Sequence, residues 1–404
     1  MFIEPLLARR TRNMGASAIR EILKVVSRPG MISLAGGIPA TESFPMAVIR
    51  RITESVIEKY GPGAFQYDRT EGFLPLCEAL AAYLADKGIA APAEHILIAS
   101  GSQGVLDGLG KILIDPGDRV ALEAPTYLGA LQAFTPYEPD YVQIDTDQQG
   151  MLPEALEAAL SRHPVKFVYL VPNFQNPTGR TLPLNRRRTI ADIVRRFDTL
   201  LVEDDPYGDL RYRGEPLPPI KTMAPDQVVY LSTLSKVFAP GLRTGFCLAP
   251  DRIRRWLVLA KQGVDLHTST FNQALAAEYL AGGHLKRHLP HIIDLYRHRQ
   301  QAMVDAMARF FPDAFTWSVP DGGMFVWVEG PEGMDMEALN QKAVARNTAF
   351  VPGTFFFARP GDGRETMRLN YTMADEATLI RGIKILGDVL SDALSQKQIY
   401  ERVG

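Results

Sequence analysis

The sequence predicts an α/β protein: a large domain on a mainly parallel, seven-stranded sheet, with a smaller α+β domain beside it. Three observations predict this. Short apolar runs recur through the middle of the chain, long enough for buried strands and too short for helices. Helical segments separate most of them, the alternation expected of a parallel sheet covered on both faces. At 404 residues the chain is also too long for one small core.

Residues 1–16 read as an irregular arm, in which Arg9, Arg10 and Arg12 could mimic a transit peptide. Ser17 can cap a helix reaching Val26, with Ile19, Ile22, Leu23 and Val26 at helical spacing. A short strand over 31–35 ends at Gly36-Gly37. Helices follow over 46–60 and 73–87, the second stopped by Gly88. The buried strands are 96–99, 120–123, 141–144, 167–171, 200–203, 228–231 and 245–249, with helices such as 104–113 and 154–162 between them. One long helical stretch, 252–309, leads away from this sheet. Beyond it, 315–319, 324–328, 348–351 and 366–371 read as strands of the smaller domain, closed by a helix over 375–394.

The composition, 46% hydrophobic and 22% charged, is ordinary for a globular protein. A formal net charge of -2 gives no electrostatic reason to expect nucleic acid or an anionic membrane as partner. Arg186-Arg187-Arg188 and Arg195-Arg196 are basic, but Ile190, Ile193, Val194 and Phe197 make that segment an amphipathic helix with a solvated basic face. Cys77 and Cys247 are too few for a disulfide framework and read as buried small hydrophobes, which suits a cytoplasmic protein. No apolar run reaches the ~18 residues of a membrane-spanning helix. His284, His288 and His291 are spaced i, i+4, i+7, but no carboxylate helix motif accompanies them, so no metal is expected.

The chemistry concentrates in Ser232-Thr233-Leu234-Ser235-Lys236, followed by Arg243. Hydroxyls and a guanidinium make a phosphate cup. A lysine beside such a cup can form an imine with a phosphorylated aldehyde. That is the anchoring logic of pyridoxal 5'-phosphate (PLP), whose enzymes pair a lysine with an acidic partner for the ring nitrogen. Glu203-Asp204-Asp205 offers the acid, and Lys236 follows an apolar strand, where ligands gather in doubly wound sheets. The turn Ser100-Gly101-Ser102-Gln103 joins a strand to a helix start, a natural phosphate site.

The order and spacing of Asn176, Asp204, Tyr207, Lys236, Arg243 and Arg368 resemble the class I aminotransferases of PLP fold type I, over nearly the whole chain. Stretches 17–23, 33–39, 101–103 and 322–327 look most like the branch of 2-aminoadipate and kynurenine aminotransferases. The resemblance implies catalytic roles for three residues. Lys236 would be the imine lysine and proton carrier, Asp204 the partner of the pyridine nitrogen, and Tyr207, with Asn176, a donor to the cofactor's phenolic oxygen. Counting back from Tyr207 selects Asp204 and leaves Asp205 as a turn or capping carboxylate. Ser102, Gln103, Thr233, Ser235 and Arg243 would hold the phosphate, and Tyr127 would stack on the ring. Thr233 stands where serine is common, and Gly104 where the branch often has a second glutamine. Arg368 would grip the substrate α-carboxylate, with Asn176 and Gly37 beside it. Arg20 would either meet an acidic substrate side chain or stand exposed on an amphipathic helix. Tyr67 would reach the phosphate of a neighbouring subunit, making a homodimer with shared active sites.

The same resemblance implies an arm and part of the small domain over 1–49, a large PLP-binding domain over 50–285 and a small domain over 286–404. The expected reaction is ping-pong transfer of an amino group from an L-amino acid to a 2-oxo acid, 2-oxoglutarate foremost. The donors of the branch are 2-aminoadipate, glutamate and aromatic or branched-chain amino acids. Two other readings use the same fold. A decarboxylase, lyase or racemase differs only in which bond at Cα is aligned. A transcriptional regulator carries a DNA-binding domain ahead of the fold, and here Arg20 already falls in the aminotransferase-like part.

Overall fold

The computed structural model describes residues 6–14, 28 and 30–403, with side chains described as far as 397. The expected helix at 17–26, and Arg20 with it, lies outside the described residues.

All seven expected strands are present, and an eighth joins them. Across the sheet the order is Ile96–Ser100, Thr244–Leu248, Val228–Thr233, Leu200–Asp204, Phe167–Leu170, Arg119–Ala124, Asp140–Asp147 and Gly150–Met151. The five strands from Val228–Thr233 to Asp140–Asp147 pair in parallel. Thr244–Leu248 is antiparallel to both its neighbours, and Gly150–Met151 folds back on Asp140–Asp147 as a hairpin. At two residues, that hairpin strand is too short to show as an apolar run. Val120, Leu122, Phe167, Tyr169, Val202 and Val229 are fully buried. A sheet covered on both faces needs apolar residues at successive positions, so the strands read as runs rather than alternations. Each such side chain contributes about 1.5–3 kcal/mol on burial.

The stretch expected as one long helix is three: Asp251–Asp265, Thr270–Ala281 and His284–Phe310. Leu266 ends the first in a left-handed conformation, φ 57°, and the Ser269 hydroxyl caps the second by accepting from the Asn272 N–H. Gly282-Gly283 makes the second break, with Gly283 at φ 67°. The smaller sheet is antiparallel, in the order Thr316–Trp317, Phe325–Glu329, Thr366–Asn370, Val351–Pro352. The expected strand at 348–351 divides, because Thr348–Ala349 pairs instead with Ile32–Ser33. This pairing carries the segment after Ile32–Ser33 past the small sheet, where the Asn370 N–H donates to the Leu34 carbonyl at 2.7 Å. The closing helix runs Glu376–Val403.

Arg187 corrects the basic-face reading. It is fully buried, donating to the carbonyls of Leu182, Pro218 and Pro172 and to the Asn173 side chain. Cys77 and Cys247 are free and buried.

Candidate active site

The parallel strands end on one edge, and the loops leaving them converge there. Ile96–Ser100 leads into Gly101, Arg119–Ala124 into Pro125 and Tyr127, and Phe167–Leu170 into the loop carrying Asn176. Leu200–Asp204 ends on Asp204 itself, and Val228–Thr233 turns at once into Leu234–Lys236. Thr244–Leu248 runs the other way, so its first residues lie on the same edge and bring Arg243 with them. A cavity of about 440 Å³ occupies this edge. Its walls include Gly37, Ser102, Gln103, Tyr127, Asn176, Asp204, Tyr207, Thr233, Ser235, Lys236, Arg243 and Arg368. The sequence separates the first and last of these by more than three hundred residues; the fold brings them to one space.

Lys236 is half-buried and donates from Nζ to the Gly37 carbonyl at 2.9 Å. Burial pushes its amine down to about 8, and the positive charges of Arg368 and Arg243 add to that. Asp204 is almost wholly buried. Its Oδ2 accepts from the Tyr169 hydroxyl at 2.8 Å, while its Oδ1 has no partner among the described residues. Burial raises this carboxyl to about 7, against the Tyr169 hydrogen bond and with the help of neighbouring Asp205. A buried carboxylate oxygen with no donor is costly in isolation and suits a cationic N–H arriving from the cavity.

Asp205 lies elsewhere. Its oxygens accept from Asn173 at 2.9 Å and from the Tyr230 hydroxyl at 3.1 Å, so it is a buried network member rather than a helix cap. Asn176 bridges two groups: its Nδ2 donates to the Tyr207 hydroxyl at 3.4 Å, and its Oδ1 accepts from Arg368 at 2.8 Å. Arg368 also donates to the Ala35 carbonyl at 2.8 Å and lies between the rings of Phe325 and Phe356, at 4.3 and 5.0 Å. Its buried Nε has no partner among the described residues.

The end of the cavity where the helix Ser102–Leu113 begins is built from backbone as much as side chain. Gly101, at φ 82°, lets the chain turn from strand into the helix Ser102–Leu113. A Cβ there would sit 2.3 Å from the Arg243 guanidinium, and one on Gly245 would sit 2.4 Å from the Ser102 nitrogen. Both glycines thus permit a close approach at the helix start. Thr233 Oγ1 and Ser235 Oγ lie 2.9 Å apart. Arg243, at φ 52°, donates to the Ser100 carbonyl at 3.2 Å. Gln103 donates to the Gly129 carbonyl at 2.7 Å. A Cβ on Gly129 would meet the Tyr127 ring at 2.4 Å, so glycine there makes room for that ring.

Tyr67 stands apart from this cavity. It is 76% exposed, its ring edge against His267 with centroids 5.6 Å apart. His288, one of the spaced histidines, bonds the Ser43 carbonyl at 2.7 Å. Sequence reasoning missed Tyr169 and Gln175. The second ties the Asn176 loop to Pro125, at 2.8 Å.

The family described as aminotransferase class I and II matches residues 29–383. The chain is 45% identical to the aromatic-amino-acid aminotransferase 1 of Thermococcus litoralis, over 97% of this chain and 96% of that protein. It is 40% identical to the 2-aminoadipate transaminase of Thermus thermophilus, over 94% and 95% respectively. The solved structure of the Pyrococcus horikoshii kynurenine aminotransferase, described with substrates and products of that reaction, superposes with a TM-score of 0.94 at 42% identity, covering 97% of this chain and 98% of that one. The fold, the cavity and these similarities agree, and the chain belongs to the class I and II aminotransferases of PLP fold type I, in the 2-aminoadipate and kynurenine aminotransferase-like branch.

Proposed function

We propose that the cavity binds PLP and that the protein moves the amino group of an L-amino acid to a 2-oxo acid by a ping-pong exchange. The observation that carries this is Oδ1 of Asp204, which has no partner among the described residues and belongs to a side chain lining the cavity that also holds Lys236 and Arg368. The residues fit the cofactor chemically. Asp204 Oδ1 would accept from its protonated ring nitrogen. Tyr207 and Asn176 would donate to its phenolic oxygen, and Tyr127 would lie against its ring. Ser102, Gln103, Thr233, Ser235 and Arg243 would hold its phosphate, at a helix start whose free N–H groups suit anions. When bound, the cofactor supplies the electron sink that makes a Cα proton removable.

The chain's own groups do the rest. Lys236 supplies the amine that tethers the cofactor and, once displaced, takes and returns the substrate's Cα proton. A site that lowers this amine to about 8 keeps a useful fraction of it neutral near pH 7. Arg368 holds the α-carboxylate as a bidentate pair, oriented by Asn176 and Ala35. Gly37 sits beside that carboxylate. Tyr67 reaches the phosphate of a second subunit, which accounts for an aromatic left exposed on one chain, and makes the working unit a homodimer.

We assign the donor to the group of 2-aminoadipate, glutamate, aromatic and branched-chain amino acids, with 2-oxoglutarate as acceptor and Arg20 meeting acidic side chains. Relatives named for aromatic amino acids, 2-aminoadipate and kynurenine support that range. Two free, buried cysteines support a cytoplasmic setting. No helix of the described residues is long and apolar enough to cross a membrane. The test is a screen of amino donors against 2-oxoglutarate, with a half-reaction assay for the pyridoxamine form. Carbon dioxide or racemised donor, without 2-oxo acid product, would replace transamination by another reaction of the fold.

A further inference from the structure

Two loops flank the ring position: the turn 125–127, which carries Tyr127, and the segment 173–180, which carries Asn176. Beneath them lies a buried polar cluster for which the reaction has no direct use. Glu123 and Gln175 are 4% and 3% exposed. Glu123 lies near the end of a sheet strand, and its Oε2 accepts from the Val171 N–H at 3.0 Å and from Gln175 Nε2 at 3.4 Å. The same Nε2 donates to the Pro125 carbonyl at 2.8 Å. On its other side, Gln175 Oε1 accepts from the Thr178 N–H at 2.9 Å and the Thr178 hydroxyl at 2.7 Å. The Gln175 backbone closes the loop, donating to the Arg180 carbonyl at 2.8 Å and accepting from the Gly179 N–H at 2.6 Å. One side chain therefore ties the Asn176 loop to itself, to the Tyr127 turn and to the sheet.

We propose that Gln175, seated on Glu123, is a positioning residue that fixes Asn176 and the turn 125–127 relative to each other. Asn176 has neighbours that need this. It bonds Tyr207 on one side and Arg368 on the other. A shift of its backbone would move both the donor pair for the phenolic oxygen and the orientation of the carboxylate-binding guanidinium. A neutral amide suits this position because it donates on one side and accepts on the other, which neither a carboxylate nor an ammonium can do. Glu123 is held here with its carboxyl raised to about 8 by burial, so the pair carries little charge into the ring's surroundings near neutral pH. This inference rests on the aminotransferase reading of the cavity.

Three variants test it: Gln175→Ala, Gln175→Glu, and the exchange Glu123→Gln with Gln175→Glu. The exchange restores an amide–carboxyl pair with donor and acceptor reversed. Four readouts are compared with wild type: donor KM and kcat, the pH titration of the holoenzyme's visible absorbance, the thermal midpoint, and amide hydrogen exchange over 173–180 in the cofactor-free protein. A misplaced positioning group costs on the order of tenfold to a hundredfold in kcat/KM. Gln175→Ala should show that fall, a displaced absorbance titration and faster exchange over 173–180. The exchange variant should recover part of the activity lost in Gln175→Glu, because it restores the contact with residue 123 although a carboxylate at 175 cannot donate to the Pro125 carbonyl. A lowered thermal midpoint with unchanged titration and unchanged exchange means a merely structural role and overturns the proposal. Wild-type protein that acquires no visible absorbance with PLP overturns the reading of the cavity instead. The hydrogen-exchange measurement still decides the clamp in that case, since unchanged exchange in Gln175→Ala overturns it.

Discussion

Asp204→Asn should make the cofactor-free enzyme more stable at pH 8 and remove most of the turnover of the PLP-loaded enzyme. The ordinary carboxyl value is 3.8, and burial raises it in the folded chain to about 7. The folded state therefore binds more protons than the unfolded state between these values. Stability falls as pH rises through that window, and the penalty is complete above about pH 7. Linkage puts the cost of Asp204 at about 2 kcal/mol at pH 5 and about 4 kcal/mol at pH 8. An asparagine carries no such term, and Tyr169 can still donate to its oxygen. Its amide group has no acceptor where Oδ1 stood, a pH-independent cost of about 1–3 kcal/mol. The variant's stability relative to wild type should therefore improve by about 2–3 kcal/mol between pH 5 and pH 8. The assay is denaturant unfolding of both cofactor-free proteins at the two pH values, at one protein concentration. Adding PLP should then favour wild type more than the variant, because only the carboxylate gains a charged partner. A stability difference that stays constant from pH 5 to pH 8 would refute the account of Asp204 as a buried acid held by Tyr169 alone among the described residues.

Five further outcomes test the remaining assignments. Lys236→Ala should abolish turnover and the borohydride-reducible lysine adduct; an adduct persisting at another lysine would move the assignment. In the cofactor-free enzyme, reaction of Lys236 with aldehydes should rise with pH and level off above about 8, because the neutral amine is the reactive form. Arg368→Gln should shift that profile upward by removing a nearby cation, and a mass-spectrometric labelling profile that levels near the ordinary lysine value in wild type would contradict it. A wild-type subunit paired with a Tyr67→Ala/Lys236→Ala subunit should lose activity if Tyr67 serves the partner's site, whereas a hybrid retaining half the wild-type rate would confine Tyr67 to its own chain. Arg20→Ala should cost on the order of 1–3 kcal/mol in transition-state binding of glutamate or 2-aminoadipate and much less for leucine or phenylalanine, read as kcat/KM; an equal fall for both classes returns Arg20 to a surface role.

Much of the cavity was legible because its residues obey one rule of the fold. Asp204, Thr233 and Lys236 sit at or just beyond the C-terminal ends of apolar runs, and such ends share an edge in a parallel sheet. Arg243 precedes a strand instead, and it reaches the same edge only because Thr244–Leu248 runs antiparallel, a direction that an apolar run does not encode. The breaks at Leu266 and Gly282-Gly283 were hidden for a related reason: helical spacing on both sides of a short interruption reads as one helix. Arg187 defeated a local reading as well. Its neighbours Arg186 and Arg188 make a basic face, and only the four acceptors supplied by Leu182 just ahead of the helix and by the segments at Pro172-Asn173 and Pro218 allow the middle one inside.

Tyr169 shows what a sequence pattern discards. In an uninterrupted apolar strand a tyrosine reads as core, and its ring is indeed fully buried. The hydroxyl is the informative part. Tyr169 pairs in register with Val202, two positions before Asp204 on the next parallel strand. Side chains at i and i+2 share a sheet face, so Tyr169 and Asp204 lie on the same side, within reach of a long phenol. A buried hydroxyl needs a partner, and a buried carboxylate needs donors. Each therefore answers the other's requirement, and the bond at 2.8 Å leaves the second oxygen of Asp204 for the cavity. Strand register, not residue type, turns a core tyrosine into the group that orients the acid. The same need for a partner covers Gln175, whose amide stands among ordinary loop residues in the sequence and becomes specific only when Glu123 arrives from a strand and Pro125 from the turn after it.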